Sequence, residues 1–204
     1  MMWLDYDYEL NESVRGDVRS LIENAPTNSI LIITINGSEQ KYGKPLERCQ
    51  RLRNLLGALV PDDLPPTACK GEQMQETLAD LGLSFMKSIA ADTARPGGFI
   101  PAFRVLYRDS APMVTIGGVL PAKGAAGAAT EAVNGANWPA FPKRAIKAPH
   151  LTMREAAVLQ SRLPCTTKLT RTTIKELGFD LDDDQIEAFE TYYRQYPAFA
   201  QIVA

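Results

Sequence analysis

Apolar positions in this chain follow two periods, and the switches between them mark the elements. Trp3-Leu4-Asp5-Tyr6 reads as a short buried strand that stops at an acidic pair, Asp5 and Asp7. Asn11 or Ser13 then caps a segment in which Val14, Val18, Leu21 and Ile22 recur at helical spacing. Ala25-Pro26-Thr27-Asn28 ends it, and a continuous apolar run, Ser29 to Asn36, follows. An unbroken run of this kind suits a parallel strand covered on both faces, so residues 2–6 and 29–36 are expected as central parallel strands of one βαβ unit.

Helical spacing returns from Pro45 to Val60, with Leu46, Cys49, Leu52, Leu55, Leu56 and Leu59 on the inner face. It returns again from Glu72 to Ala91, with Leu78, Leu81, Phe85 and Ile89 inward. Two β-rich runs joined by Ser110-Ala111-Pro112 predict an antiparallel hairpin over about 100–119. The stretch from Pro121 to Ala136 is Gly/Ala-rich and is expected as a mobile loop. Beyond it, Thr152 and Glu155 form a capping-box pattern, Gly178 stops a short helix, and Asp182 to Asp184 open a last one. The organisation is an α/β half-domain over 1–120, a Gly/Ala/Pro-rich linker over 121–149 and a helical tail over 150–204.

Composition narrows the chemistry. A net charge of -2 gives no electrostatic case for nucleic acid, and no apolar run approaches the length of a membrane helix. Cys49, Cys69 and Cys165 are odd in number and far apart, which reads as reduced thiols of a cytoplasmic protein. A single histidine, His150, argues against a metal site built on imidazoles, and none is expected. The candidate chemistry sits at the first strand's end, where ligands collect in α/β sheets: Asp5 and Asp7 as acid–base groups, with Tyr6 and Asn36 beside them for substrate. Asn36-Gly37 also reads as a plain turn, and Asp7 as a helix cap. Gly117-Gly118 reads as a backbone bulge or a close helix approach, Leu181 to Gln185 as a solvated helix start, and the cations around Lys168 to Lys175 as a solvated face. Tyr192, Tyr193, Tyr196 and Phe199 read as a packing face.

The order strand, helix, strand, helices, hairpin, with acids after the first strand, resembles the second half of a class I S-adenosylmethionine-dependent methyltransferase. "WLDYD" is similar to that fold's fourth strand and its catalytic motif, "SILIITING" to the fifth, and "AFRVLYRD" with "MVTIGG" to the terminal hairpin, over about residues 1–120. The tail from His150 resembles the C-terminal extension of bacterial O-methyltransferases. The resemblance implies a partial Rossmann-like mixed sheet, S-adenosylmethionine as donor, and catalytic roles for Asp5 and Asp7. The family binds its donor with a Gly-rich loop after the first strand and an acid after the second. Neither is found here, so the chain is expected to be a fragment or one partner of a split enzyme that binds the donor poorly alone.

Two other readings start from the same residues. Asp5 and Asp7 resemble the DxDx[TV] motif of haloacid dehalogenase-like phosphatases, with Thr34 as the hydroxyl residue, although Glu9 stands where Thr or Val is expected. A non-catalytic interaction module is the other. An apolar first strand without charged gatekeepers is expected to pair through residues 1–6 with a second copy or another chain, unless the helical tail covers it.

Overall fold

The computed structural model describes residues 1–108, 111–135, 138 and 145–194. Its contacts divide into two compact units, Met1–Leu106 with Ser110–Ala145, and Tyr107–Asp109 with Ile146–Ala204.

The first unit runs β1 (Met2–Asp5), α1 (Glu12–Asn24), β2 (Ser29–Asn36), α2 (Arg48–Leu56), α3 (Gly71–Asp92), β3 (Ile100–Arg108, of which the last two residues group with the second unit), β4 (Pro112–Leu120) and α4 (Ala126–Asn134). The second continues with β5 (Ile146–Lys147), α5 (Met153–Gln160), α6 (Arg171–Glu176) and α7 (Asp183–Tyr192). The strands form one mixed sheet in the order β1-β2-β4-β3-β5, consistent with a Rossmann-like methyltransferase fold.

β1 and β2 are parallel, with Asp5 beside Thr34, and α1 is the crossover between them. β4 pairs antiparallel to β2, from Ser29 beside Leu120 to Asn36 beside Met113. β3 neighbours β4, and the three residues between them are too few for a parallel crossover, so the two strands form the expected hairpin. β2 is interior, whereas β1 lies at the edge of the sheet rather than in its middle, because no strand among the described residues flanks its outer side.

One face of the sheet carries the main core. Leu31, Ile33 and Ile35 of β2 and Val114, Ile116 and Leu120 of β4 meet Val14, Val18 and Ile22 of α1 and Leu78, Phe85 and Ile89 of α3. Each such aliphatic or aromatic side chain contributes about 1.5–3 kcal/mol relative to leaving it in water. Asn11 caps α1 by accepting from Val14 N at 3.1 Å. In the second unit, Leu159, Leu169, Ile174, Leu181, Ile186 and Phe189 form a small core of their own. The Thr152–Glu155 capping box is present, Asp182 and Gln185 form a second one, and Gly178 leaves α6 with φ +100. Tyr193 packs against this core; Tyr196 and Phe199 lie outside the described residues.

Three expectations are corrected. The helix expected from Pro45 begins at Arg48, and Leu46, 93% exposed, faces water rather than the core. It also ends early, since Gly57 takes φ +57 and the chain tightens into a 3-10 turn over Gly57–Leu59. The Gly/Ala-rich stretch is not a loop throughout: Ala126–Asn134 is helical, as its alanines, the strongest helix formers, outweigh one glycine. Cys49 and Cys69 are joined in a disulfide rather than reduced, with Cα atoms 6.0 Å apart, and Cys165 is free and exposed. Their sequence separation of 20 hid the pairing, because the turn through Pro61–Pro66 folds the second cysteine back onto α2.

Candidate functional site

The carboxyl end of the β1–β2 pair is built by the chain that leaves β1. Residues beyond Asp5 stay alongside β2: Tyr6 N donates to Thr34 O at 3.0 Å, and Asn36 N donates to Tyr8 O at 3.0 Å. Asp5, Tyr6, Asp7 and Asn36 are thereby brought to one end of the sheet.

They differ sharply in what their side chains are free to do. Asn36 is buried and fully engaged. Its Nδ2 donates to Asp7 O at 3.5 Å, its Oδ1 accepts from Ser38 N at 2.8 Å, and its carbonyl accepts from the Tyr42 hydroxyl at 3.4 Å. Asn36 therefore acts here as a latch that holds the Asp5–Tyr8 turn against the end of β2. The Tyr6 hydroxyl donates to Asp17 Oδ2 on α1 at 2.8 Å. Burial first, and then that carboxylate, push Tyr6 above its ordinary value of 10.0, so it keeps its proton and cannot serve as a base. Asp5 and Asp7 are exposed, and no hydrogen bond or ion pair engages either carboxylate among the described residues.

Behind this turn lies a support that sequence patterns did not reveal. The Tyr42 hydroxyl accepts from Leu10 N at 2.9 Å, and the residue is fully buried. Arg48 is buried as well and pairs with Glu39 at 2.9 Å, while its Nε donates to Gly43 O at 3.1 Å. A tyrosine within the polar stretch 38–44 carries no periodic signal, and Arg48 is not among the apolar positions that mark this helix.

Thr34 takes no part in an open site. It is fully buried, accepts a hydrogen bond from Trp3 Nε1 at 3.0 Å, and its Oγ1 lies 2.8 Å from Thr115 Oγ1. A phosphatase reading needs that hydroxyl facing a phosphate, and here it faces two neighbouring strands. No three His, Cys, Asp or Glu side chains among the described residues converge where a metal ion would sit.

Gly117 and Gly118 have a packing explanation. A Cβ at Gly117 would lie 2.2 Å from Leu31 O, and one at Gly118 would lie 2.3 Å from Ile100 O and 2.4 Å from the Phe99 ring. The Phe99 ring occupies the space that a side chain at 118 would take. Beside it, a cavity of about 630 Å³ is lined by Phe99, Ile100, Pro101, Val133, Asn134 and Trp138, among others. Phe99 and Ile100 lie against Gly118, which pairs with Leu31, so the cavity is toward the opposite end of the sheet from Asn36.

Several backbone N–H groups at the carboxyl end are taken up within the fold. Leu10 N and Asn36 N are donated to Tyr42 and Tyr8, Gly37 N to Pro112 O at 2.7 Å, and Ser38 N to Asn36 itself. N–H groups engaged in this way are not free to hold an anion. What remains accessible is a pair of carboxylates suited to accept a proton or orient a hydroxyl. No helix among the described residues is long and apolar enough to cross a membrane. The sequence matches a protein family described as "Putative O-methyltransferase" over residues 1–204. No curated protein and no solved structure matches it.

Proposed function

The chain belongs to this O-methyltransferase family, and we propose that it supplies the acceptor side of a methyl-transfer centre. The observation that carries this reading is the pair of exposed carboxylates, Asp5 and Asp7, at the carboxyl end of β1 in a chain whose whole length matches the family. The family implies S-adenosylmethionine as methyl donor. Near Asp5 the backbone N–H groups of Tyr6, Leu10, Asn36, Gly37 and Ser38 are taken up within the fold and are not available to that group's carboxylate. Donor binding then depends on elements other than these, as in a fragment or one partner of a split enzyme.

The part assigned to this chain is proton handling on a hydroxylated acceptor. Asp5 or Asp7 accepts a hydrogen bond from the acceptor hydroxyl and takes up its proton as the oxygen becomes nucleophilic. Asn36 and Tyr42 contribute by fixing the turn that carries the carboxylates. Tyr6, tied to Asp17, lends the site an apolar ring rather than a base.

Calorimetry with S-adenosylmethionine and transfer of its labelled methyl group to a panel of phenols and carboxylic acids test the reading. The chain alone is expected to bind the donor no better than about millimolar, some 4 kcal/mol at most. At saturating donor it is expected to give slow transfer that falls at least tenfold in Asp5→Asn or Asp7→Asn. Micromolar donor affinity would overturn the divided centre; transfer indifferent to both substitutions would overturn the acceptor role.

A further inference from the structure

The outer edge of β1 is open. Tyr6 N donates toward β2, and backbone direction alternates along a strand, so Leu4 also faces β2 while Trp3 and Asp5 point their N–H and C=O groups outward. No strand takes them up among the described residues. Bare edges are normally blunted with Lys, Pro or a bulge, and Met2–Asp5 has none of these.

The same segment concentrates exposed apolar surface. Of the five large hydrophobic side chains that are exposed among the described residues, three fall within the first eight: Met1 at 84%, Trp3 at 59% and Tyr8 at 40%. Trp3 is not loose, for its indole is fixed to Thr34. A rigid, exposed tryptophan on an open edge has the character of an interface anchor.

We propose that two copies of this chain pair antiparallel along β1 across a two-fold axis, with Trp3 of each copy opposite Asp5 of the other. This register follows from the backbone. The outward-facing residues must meet each other, and pairing Trp3 with Asp5 twice satisfies all four outward N–H and C=O pairs while using only Met2–Tyr6, the part already held against β2. Leu4 then meets Leu4 on the axis, and Met2 meets Tyr6. These three side chains already pack against the main core, so the pairing joins the two cores along one apolar seam. Asp5 is the only charge on the edge, and this register keeps it from facing its own symmetry mate, which would be repulsive.

α1 leaves room for the partner. Tyr6 reaches Asp17, so the flank of α1 toward β1 is the one bearing Ser13, Asp17 and Ser20, at helical spacing and all exposed. Short side chains there let two copies of α1 approach. The inference rests on the edge geometry alone and stands or falls apart from the methyl-transfer reading.

Sedimentation of the full chain at micromolar concentration is expected to show a dimer. Trp3→Asp places an acid opposite Asp5 in both symmetric pairs and is expected to give a monomer with an unchanged circular dichroism spectrum; Trp3→Lys places opposite charges there and keeps the dimer. In a Cys165→Ser background, Leu4→Cys is expected to form a disulfide-linked dimer on mild oxidation, because directly opposed residues of this type have Cα atoms about 4.5 Å apart. Trp3→Cys is expected not to. A monomeric wild type, or a dimer indifferent to Trp3→Asp, overturns the proposal. Cross-linking at position 3 in place of 4 overturns the register.

Discussion

Trp3 donates its indole N–H to Thr34 Oγ1 across 3.0 Å, and so a half-exposed edge residue is anchored to a fully buried hydroxyl. The chain of contacts continues to Thr115, 2.8 Å further, so side chains of three neighbouring strands are joined on the face opposite the main core. Thr34→Val keeps the shape and removes both bonds. The expected cost is about 1–2 kcal/mol in urea denaturation, with the Trp3 fluorescence shifted toward that of a water-exposed indole.

Asn36 is expected to matter for structure before it matters for any ligand. Asn36→Ala frees Asp7 O and Ser38 N, and should lower stability by about 2 kcal/mol. Amide exchange at Ser38 and across Asp5–Tyr8 should accelerate with it. If stability and exchange were unchanged, the latch role assigned here would be wrong.

Alkaline pH should weaken the fold through Tyr42. Burial raises its hydroxyl above the ordinary 10.0, and the hydrogen bond from Leu10 N offsets only part of that rise. The folded state holds this proton more tightly than the unfolded chain does. Its contribution is therefore complete below pH 10.0 and is lost as pH climbs toward the raised value. Tyr42→Phe should flatten this alkaline loss while costing about 1–3 kcal/mol at neutral pH, because buried Leu10 N loses its acceptor. Denaturation midpoints between pH 7 and pH 11, compared for the two proteins, check both halves.

Gly117→Ala should be among the most damaging single-methyl additions in this chain. Its Cβ would meet backbone, Leu31 O at 2.2 Å, and backbone in a paired strand cannot step aside as a side-chain tip can. A loss of about 3 kcal/mol or more is expected, above the usual range for overpacking. By contrast, Gly16→Ala meets open space and should stabilise α1 by about 0.5–1 kcal/mol.

Residues 29–36 were legible as a strand because six consecutive apolar or β-branched side chains leave no other economical structure, and the hairpin because two such runs flank a three-residue turn. α1 and α3 were legible for the same reason, since their buried residues alone set a helical period. What periodicity does not encode is what sits between elements. Leu46 has the right spacing for the face of α2, yet Pro45 and the turn before it place it outside the helix. The Gly/Ala stretch was misread because composition alone was weighed, and alanine serves loops and helices alike. The placing of Asp5 and Asp7 at the end of the first strand was legible, while the hydrogen bonds that commit Asn36 to Asp7 and Tyr6 to Asp17, and the contact of Tyr42 with Asn36, follow no periodic pattern and leave no trace in the sequence.

The Cys49–Cys69 bridge closes a covalent ring around the exposed turn of Pro61–Pro66. A protease that cuts inside that ring cannot separate the chain into pieces. Arg51 and Arg53 lie within it, so trypsin acting there would yield a nicked protein that migrates whole until a reductant is added. The half of the chain bearing Asp5 and the half bearing the hairpin would remain one molecule, and the fold would have lost a peptide bond without losing its connectivity.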